Sequence, residues 1–225
     1  MITHASNVVM LEARNDVWPY EYMTFSRRIG ELWEPFCKLC FSYPVKNVEL
    51  FIPPLFSEVK QKLSTEIDIY IDKLKISAGE KTQLRTYYNK VWGLVTSGDI
   101  KLELDLHFIS ENQKFVVDFK SGFGSNEKGN TNRLLLVASI YRNLEENYKC
   151  MIFVRSTDNK HYFQTLKNSG IWDAYSGNEA YDKINEYSGF DIKRWISANI
   201  KWETDFKAEM IEHLKKNDLI QYLIW

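Results

Sequence analysis

The sequence lacks long hydrophobic runs and is poor in cysteine. No segment approaches the roughly 18 consecutive apolar residues that a transmembrane helix needs, so we expect no membrane partner. The opening stretch MITHASNVVMLEARND has only a short apolar run and does not resemble a signal peptide. Three cysteines in 225 residues do not make a disulfide framework. These absences predict an intracellular protein.

The sequence also lacks the ligand spacing of a zinc site. Cys37 and Cys40 form an isolated CxxC within the apolar stretch LWEPFCKLCF, and no second CxxC or HxxxH follows. A structural zinc ion takes about four ligands, so the spacing favours two buried thiols over a metal site or a redox pair.

Neither sign of charge dominates, since the net charge is −1. Residues 59–101 and residues 112–160 each hold eight Lys or Arg against five Asp or Glu, whereas residues 171–225 are acidic. A mildly basic central part of the chain is compatible with a channel for a polyanion, although local excesses of one sign of charge are common by chance.

Hydrophobic periodicity predicts an α/β chain. The patterns indicate helices over residues 22–41, 55–77, 80–95 and 131–147, and further helices near 160–168, 178–187, 191–199 and 203–223. Pro44 ends the first of these helices, and Thr131 is the expected cap of the fourth. The stretch KLELDLHFISENQKFVVDFKSG reads as a hairpin of two strands, and KCMIFVR reads as a buried strand.

The hairpin carries acids within its strands. If Glu111 and Asn112 form a two-residue turn, Asp105 lies opposite Asp118, and Lys120 follows two residues later on the same face. Opposed like charges destabilise a sheet, so the presence of Asp105 opposite Asp118 needs an explanation. A solvated face of the hairpin is one explanation, and a bound cation is the other.

Two opposed carboxylates suit a hard divalent cation. Mg²⁺ binds through one or two carboxylates and keeps several waters. A lysine beside them can reach a metal-bound water or a phosphate that is being cleaved. Such a set can hydrolyse a phosphodiester.

The two strands resemble the core of the PD-(D/E)xK nucleases. ELDLHF followed by VVDFKSG is similar to that family's motif, in which an acid near the end of one strand and acid-x-lysine on the next form the metal-dependent site. The resemblance implies that Asp105 and Asp118 bind the metal and that Lys120 positions or activates water. Leu104 stands where the motif has proline.

The resemblance covers about residues 27–155 and implies a fold. We expect a single domain over residues 1–225, with a restriction-endonuclease-like core in which helices flank a mixed β-sheet. A largely helical C-terminal part follows over about 156–225, where AYDKINEYSGFDIKRWI also resembles the tails of such proteins.

Members of the family often add a glutamate from an upstream helix. SRRIGELWEPF resembles that helix, and the spacing of Gly30 and Glu34 favours Glu34 as a further catalytic and metal-binding acid. Glu31 stays open as the alternative, and so does a solvated helical acid with no such role.

The glycine-rich segment after Lys120 is the predicted DNA-binding loop. Asn reads adenine, Arg reads guanine, and backbone amides at a helix start bind phosphate. The alternative is a solvated loop that caps a helix. The candidate contacts are Ser125, Asn126, Lys128, Asn130, Asn132 and Arg133.

The resemblance therefore implies a type II restriction endonuclease of the bacterial cytoplasm. It would cut double-stranded DNA at a specific sequence as a homodimer, with Mg²⁺ as cofactor and Mn²⁺ as a substitute. A cognate DNA methyltransferase is expected in the same cell but not as a stable partner. Two alternatives stay open: a junction-resolvase-like repair nuclease, and a non-catalytic DNA-binding protein on the same fold.

Overall fold

The structure is a computed structural model that describes residues 1–95, 100–124, 127–144, 148–159, 161–223 and 225, with no side-chain description for residues 94 and 95. The chain divides into two compact units. Residues 1–51 together with 105–225 form the larger unit, and residues 52–104 form the smaller one. Among the described residues, we find no helix with the length and apolar character needed to cross a bilayer.

The larger unit contains a five-stranded sheet and eight helices within the described ranges. The strands are β1 (Glu49–Leu50), β2 (Leu106–Ser110), β3 (Gln113–Lys120), β4 (Tyr148–Val154) and β5 (Asp173–Ser176). The helices, numbered along the whole chain, are α1 (Ile2–Val17), α2 (Tyr22–Ser42), α5 (Lys128–Arg142), α6 (His161–Asn168), α7 (Asn178–Ser188), α8 (Ile192–Asn199), α9 (Trp202–Asp205) and α10 (Ala208–Lys216), followed by a 3₁₀ turn at Ile220–Leu223.

The sheet is mixed and its strands lie in chain order, β1 to β5. The pairs β1–β2 and β2–β3 are antiparallel, and the pairs β3–β4 and β4–β5 are parallel. Helix α5 connects β3 to β4, and helix α6 connects β4 to β5. The prediction of an α/β chain with a mixed sheet flanked by helices is confirmed.

The register of the β2–β3 hairpin is the predicted one. Ser110 pairs with Gln113, and the ladder runs to the pair of Leu106 and Val117. The two turn residues, Glu111 and Asn112, have φ angles of 51° and 62°. Positive φ at both central residues defines a type I′ turn, whose twist matches that of the flanking strands.

Both faces of β3 are covered. On one face, Phe119 meets Trp33 of α2 with ring centroids 5.7 Å apart, and this face belongs to a core cluster that also includes residues of α7 and α8. On the other face, Val116 and Asp118 are 0% and 1% exposed. Helix α5 lies over that second face, where the Tyr141 hydroxyl is 3.4 Å from His107 Nε2 of β2. A solvated hairpin face therefore does not account for Asp118, whereas the Asp105 side chain, just before β2, stays 25% exposed.

The C-terminal quarter contributes to the same core. Strand β5 adds to the parallel edge of the sheet, and Tyr181 of α7 accepts a 2.8 Å hydrogen bond from the Trp33 indole. Helices α1, α2 and α10 meet in a second apolar cluster that includes Leu11 and Leu214. The sequence patterns indicated neither α1, β1 nor β5.

The predicted cap at Thr131 is wrong, and the predicted burial of Cys37 and Cys40 is confirmed. Helix α5 begins at Lys128, so Thr131 is not its cap. Thr131 is instead buried in the first turns, where its hydroxyl donates to the Glu127 carbonyl at 2.8 Å. Cys37 and Cys40 are buried in α2, as predicted, and burial raises the pKa of the Cys40 thiol to about 12.

The smaller unit is a helical hairpin of α3 (Phe56–Lys73) and α4 (Ala78–Val95). Arg85 of α4 bridges two acids of α3, with Nε 2.9 Å from Asp68 and a terminal nitrogen 2.8 Å from Asp72. The rings of Phe56 and Trp92 meet near the other end of the hairpin. The two helices are therefore antiparallel.

Candidate active site

Asp105 lies immediately before β2 rather than near the end of that strand. Its Oδ2 atom accepts a 2.7 Å hydrogen bond from the backbone N–H of Phe119 on β3. The ladder stops at the pair of Leu106 and Val117, one position short of the two acids. Because opposed like charges destabilise a sheet, the chain leaves the ladder here, and the Asp105 carboxylate satisfies the free amide instead.

Lys120 converges with both acids. Its Nζ atom lies 2.7 Å from Asp118 Oδ2 and 4.0 Å from Asp105 Oδ2, and it donates to the Phe119 carbonyl at 3.1 Å. Alternation along β3 places Asp118 and Lys120 on one face, and the confirmed register brings Asp105 to the same end. Three oxygens thus surround one cationic group at the carboxyl end of β3.

Asp118 is the most perturbed acid of this group. Burial raises its pKa to about 6, and the Asp105 carboxylate adds to the rise, while the cations of Lys120 and Arg133 oppose it. Within the described residues its Oδ2 atom is buried and accepts no hydrogen bond of ordinary geometry, although Lys120 Nζ is close. The Lys120 ammonium therefore compensates the charge of this buried oxygen as an ion pair.

Arg133 is the residue that sequence reasoning placed differently. It was predicted to read DNA bases, but its guanidinium lies 3.6 Å from Asp118 Oδ1 and 3.4 Å from Asn130 Oδ1. The side chain remains 43% exposed, so it borders the site without closing it. Its position in the second turn of a helix that crosses the sheet is a long-range feature that no local sequence signal reveals.

The other predicted DNA contacts lie on the first turns of α5 or outside the described residues. Lys128 and Asn132 are exposed, and Asn130 donates to the Glu127 carboxylate at 3.0 Å. Ser125 and Asn126 are not among the described residues. The structure therefore brings Lys128, Asn130, Asn132 and Arg133 together at one helix start.

Glu34 is not brought into the group. It forms a 3.2 Å ion pair with Lys38 one turn along α2, and α2 covers the Phe119 face of β3, opposite to Asp118. Glu31, the alternative acid, is paired with Arg27 and Arg28. The metal-binding role of Glu34 stays a prediction.

The described residues contain no group of three or more His, Cys, Asp or Glu side chains that could hold a metal ion. The candidate site therefore offers two carboxylates, one lysine and one arginine. No family model, curated protein or solved structure matches this chain.

Proposed function

We propose that this protein is a Mg²⁺-dependent endodeoxyribonuclease. The observation that carries the proposal is the convergence of Asp105, Asp118 and Lys120 at one end of the sheet. The resemblance to PD-(D/E)xK nucleases assigns the same three residues, and the mixed sheet flanked by helices supports the restriction-endonuclease-like fold.

The donor set fits Mg²⁺. Asp105 and Asp118 offer hard carboxylate oxygens, and Mg²⁺ is commonly held by one or two carboxylates, with waters and substrate phosphates completing its shell. Asp118 Oδ2 is buried beside the Lys120 ammonium at 2.7 Å, so this position already holds a positive charge next to the carboxylate. A bound Mg²⁺ supplies a water of lowered pKa and polarises the phosphate.

Lys120 gives the site its second chemical group. In the free protein its ammonium neutralises Asp118 at 2.7 Å. If Asp105 and Asp118 held a cation, Lys120 Nζ would no longer be needed to neutralise Asp118 and would hydrogen-bond and orient the attacking water or an oxygen of the phosphate.

The start of α5 suits the DNA backbone. Lys128 occupies the first position of α5, where the helix dipole disfavours a cationic side chain. The backbone N–H groups of the first helical turn favour a bound anion. A phosphate at this end would pair with Lys128 and the amides together. The candidate active site lies at the carboxyl end of β3, and α5 begins a few residues later in the chain.

Within this reaction class we favour a type II restriction endonuclease. Cutting both strands at a palindrome takes two active sites, and the described part of the chain supplies one candidate site, so the functional form is a homodimer. A junction-resolvase-like nuclease is the alternative, and it predicts a preference for branched DNA regardless of sequence.

One observation favours a non-catalytic DNA-binding protein. Lys120 and Arg133 already neutralise Asp118, and the described residues hold no three-ligand group. In that case the ion pairs would serve only to anchor α5 to the sheet. Carboxylates that face phosphate weaken binding, which argues against this role.

Incubation of the purified protein with mixed plasmid and phage DNA tests the proposal. We expect cleavage with Mg²⁺ or Mn²⁺, binding without cleavage in Ca²⁺, and no cleavage in EDTA. Discrete bands indicate a restriction enzyme, and cutting confined to branched substrates indicates a resolvase. Binding without cutting under every condition supports the non-catalytic protein, and full activity in EDTA contradicts the metal site.

A further inference from the structure

A polar cleft of about 360 Å³ opens beyond the carboxyl ends of β4 and β5. We call it the amide cleft. Exposed Gln164 and Asn178 each present a carboxamide there, and no internal hydrogen bond of either amide is found among the described residues. Its main polar lining is Thr157, Gln164, Lys167, Ser176, Asn178 and Glu179.

The amide cleft lies along the same edge of the sheet as the candidate active site, beyond the carboxyl ends of the parallel strands. The parallel ladder extends past the strand ends, because Arg155 N–H donates to the Lys120 carbonyl at 2.9 Å and Gly177 N–H donates to the Val154 carbonyl at 2.8 Å. Adjacent strands are about 4.8 Å apart, so roughly 5 to 10 Å separate Lys120 from the cleft. That distance corresponds to about one to three base pairs along a duplex.

The walls of the cleft are fixed by the sequence. Gly177 has a φ of 53°, and a Cβ on it would lie 2.4 Å from Thr157 Cγ2, so only glycine lets the two loops approach this closely. Asn159 ties the loop after β3 to the loop after β4, since it accepts from Phe123 N–H at 3.0 Å and donates to the Ser156 carbonyl at 2.6 Å.

The chemistry of the lining selects a base edge over a phosphate. Glu179 would repel a phosphate, whereas carboxamides offer a donor and an acceptor side by side. Asn and Gln pair with the N6 and N7 edge of adenine, and Lys pairs with guanine. At the helix start, by contrast, Arg133 and Asn130 are engaged with Asp118 and Glu127.

We propose that the amide cleft binds a nucleobase edge one to three base pairs from the cleaved bond. Gln164 and Asn178 make the contact and so discriminate sequence at that position. The inference rests on the proposed function for its substrate, DNA, and it assigns part of the recognition to the C-terminal quarter of the chain.

Selection from a random-sequence DNA duplex library in Ca²⁺ tests this inference, and cleavage of the same library in Mg²⁺ tests the nuclease separately. The variants are Gln164→Ala, Asn178→Ala and the two combined. Asn185→Ala, an exposed asparagine on the same helix away from the cleft, is the matched control. Each exposed substitution is expected to leave the thermal midpoint nearly unchanged.

We expect the wild type to enrich a defined sequence and the double variant to lose its preference at one position by about ten- to a hundredfold. Preferences at other positions and in the control should persist. Unchanged preferences in the double variant, or a wild type without sequence preference, would overturn the inference. Selective binding without cleavage would refute the nuclease alone, whereas no binding at all would refute both.

Discussion

Phe119 and Asp118 are neighbours on β3, and the two faces they occupy are equally inaccessible, at 2% and 1% exposed. The Phe119 face meets Trp33 of α2 and belongs to an apolar cluster that also includes residues of α7 and α8. The Asp118 face lies under α5 and carries a charged group that burial destabilises, as the raised pKa of that carboxyl shows.

The difference indicates that the Phe119 face stabilises the fold, and we propose that the Asp118 face carries the chemistry. Apolar burial stabilises by about 25 cal/mol per Å² removed from water. Burying a carboxylate costs free energy even when cations partly offset it. Substitutions on the two faces should therefore separate activity from stability.

The largest expected effect is a loss of cleavage activity when a residue of the Asp118 face is substituted. Lys120→Ala should lower the cleavage rate by roughly 10²- to 10⁴-fold, the range for removing a group that handles protons in catalysis. Lys149→Ala, an exposed lysine at the opposite end of the neighbouring strand, is the matched control and should leave the rate unchanged. Rates on plasmid DNA under single-turnover conditions measure both.

Folded Lys120→Ala protein that cuts DNA at the wild-type rate would show that the ion pair with Asp118 is structural only. In that case Lys120 would have no place in the proposed mechanism.

The apolar face should give the largest effect on stability. Phe119→Ala removes a ring packed between Trp33 and Phe153, and we expect it to lower the free energy of unfolding by about 3 to 5 kcal/mol. Leu136→Ala on the exposed side of α5 serves as the control, with a change within about 0.5 kcal/mol. Urea denaturation measures both, and equal losses for the two variants would contradict the comparison.

Asp118→Asn should stabilise the protein at neutral pH. The folded-state pKa of about 6 lies above the unfolded value, so the folded state binds the proton more tightly and the wild type loses stability as pH rises from about 4 through 6. The asparagine side chain does not ionise, so the variant lacks this loss. Its free energy of unfolding should exceed that of the wild type by roughly 2 to 3 kcal/mol at pH 7 and should equal it at about pH 4.

Urea titrations at several pH values measure that difference, and Asp173→Asn on the exposed start of β5 is the control. A wild type that becomes more stable than Asp118→Asn as pH rises would mean that Lys120 and Arg133 outweigh the burial of Asp118. The same variant should also fail to cleave DNA.

Local patterns predicted the parts of the structure that local chemistry determines. The hairpin register followed from a two-residue turn between alternating strands, and α2 followed from its apolar spacing. The hairpin register and the alternation along β3 were enough to bring Asp105, Asp118 and Lys120 to one end of the sheet.

The remaining features depend on distant contacts. Asp118 is buried because α5 crosses back over the sheet, and Arg133 reaches it for the same reason. Strand β5 has only four residues and is defined mainly by its pairing with β4. Helix α1 has no side-chain cap, so its start carries no sequence signal of the usual kind.

The smallest expected effect comes from the point where α2 touches the residue after Lys120. A Cβ on Gly30 would lie 2.5 Å from Ser121 Cβ, so Gly30→Ala forces the helix or the strand end to move. Overpacking costs about 1 to 3 kcal/mol, against a gain of about 1 kcal/mol from replacing glycine in a helix, so a net loss near 1 kcal/mol is expected. Gly93→Ala in α4 is the control and should be neutral or stabilising, because an added Cβ there meets none of the described atoms within 4 Å.

Ser121→Gly removes the clashing atoms, so combining it with Gly30→Ala should recover at least about 1 kcal/mol in a double-mutant cycle. If the two substitutions are instead additive, α2 does not fix the strand end, and any loss of cleavage in Gly30→Ala would have to arise elsewhere.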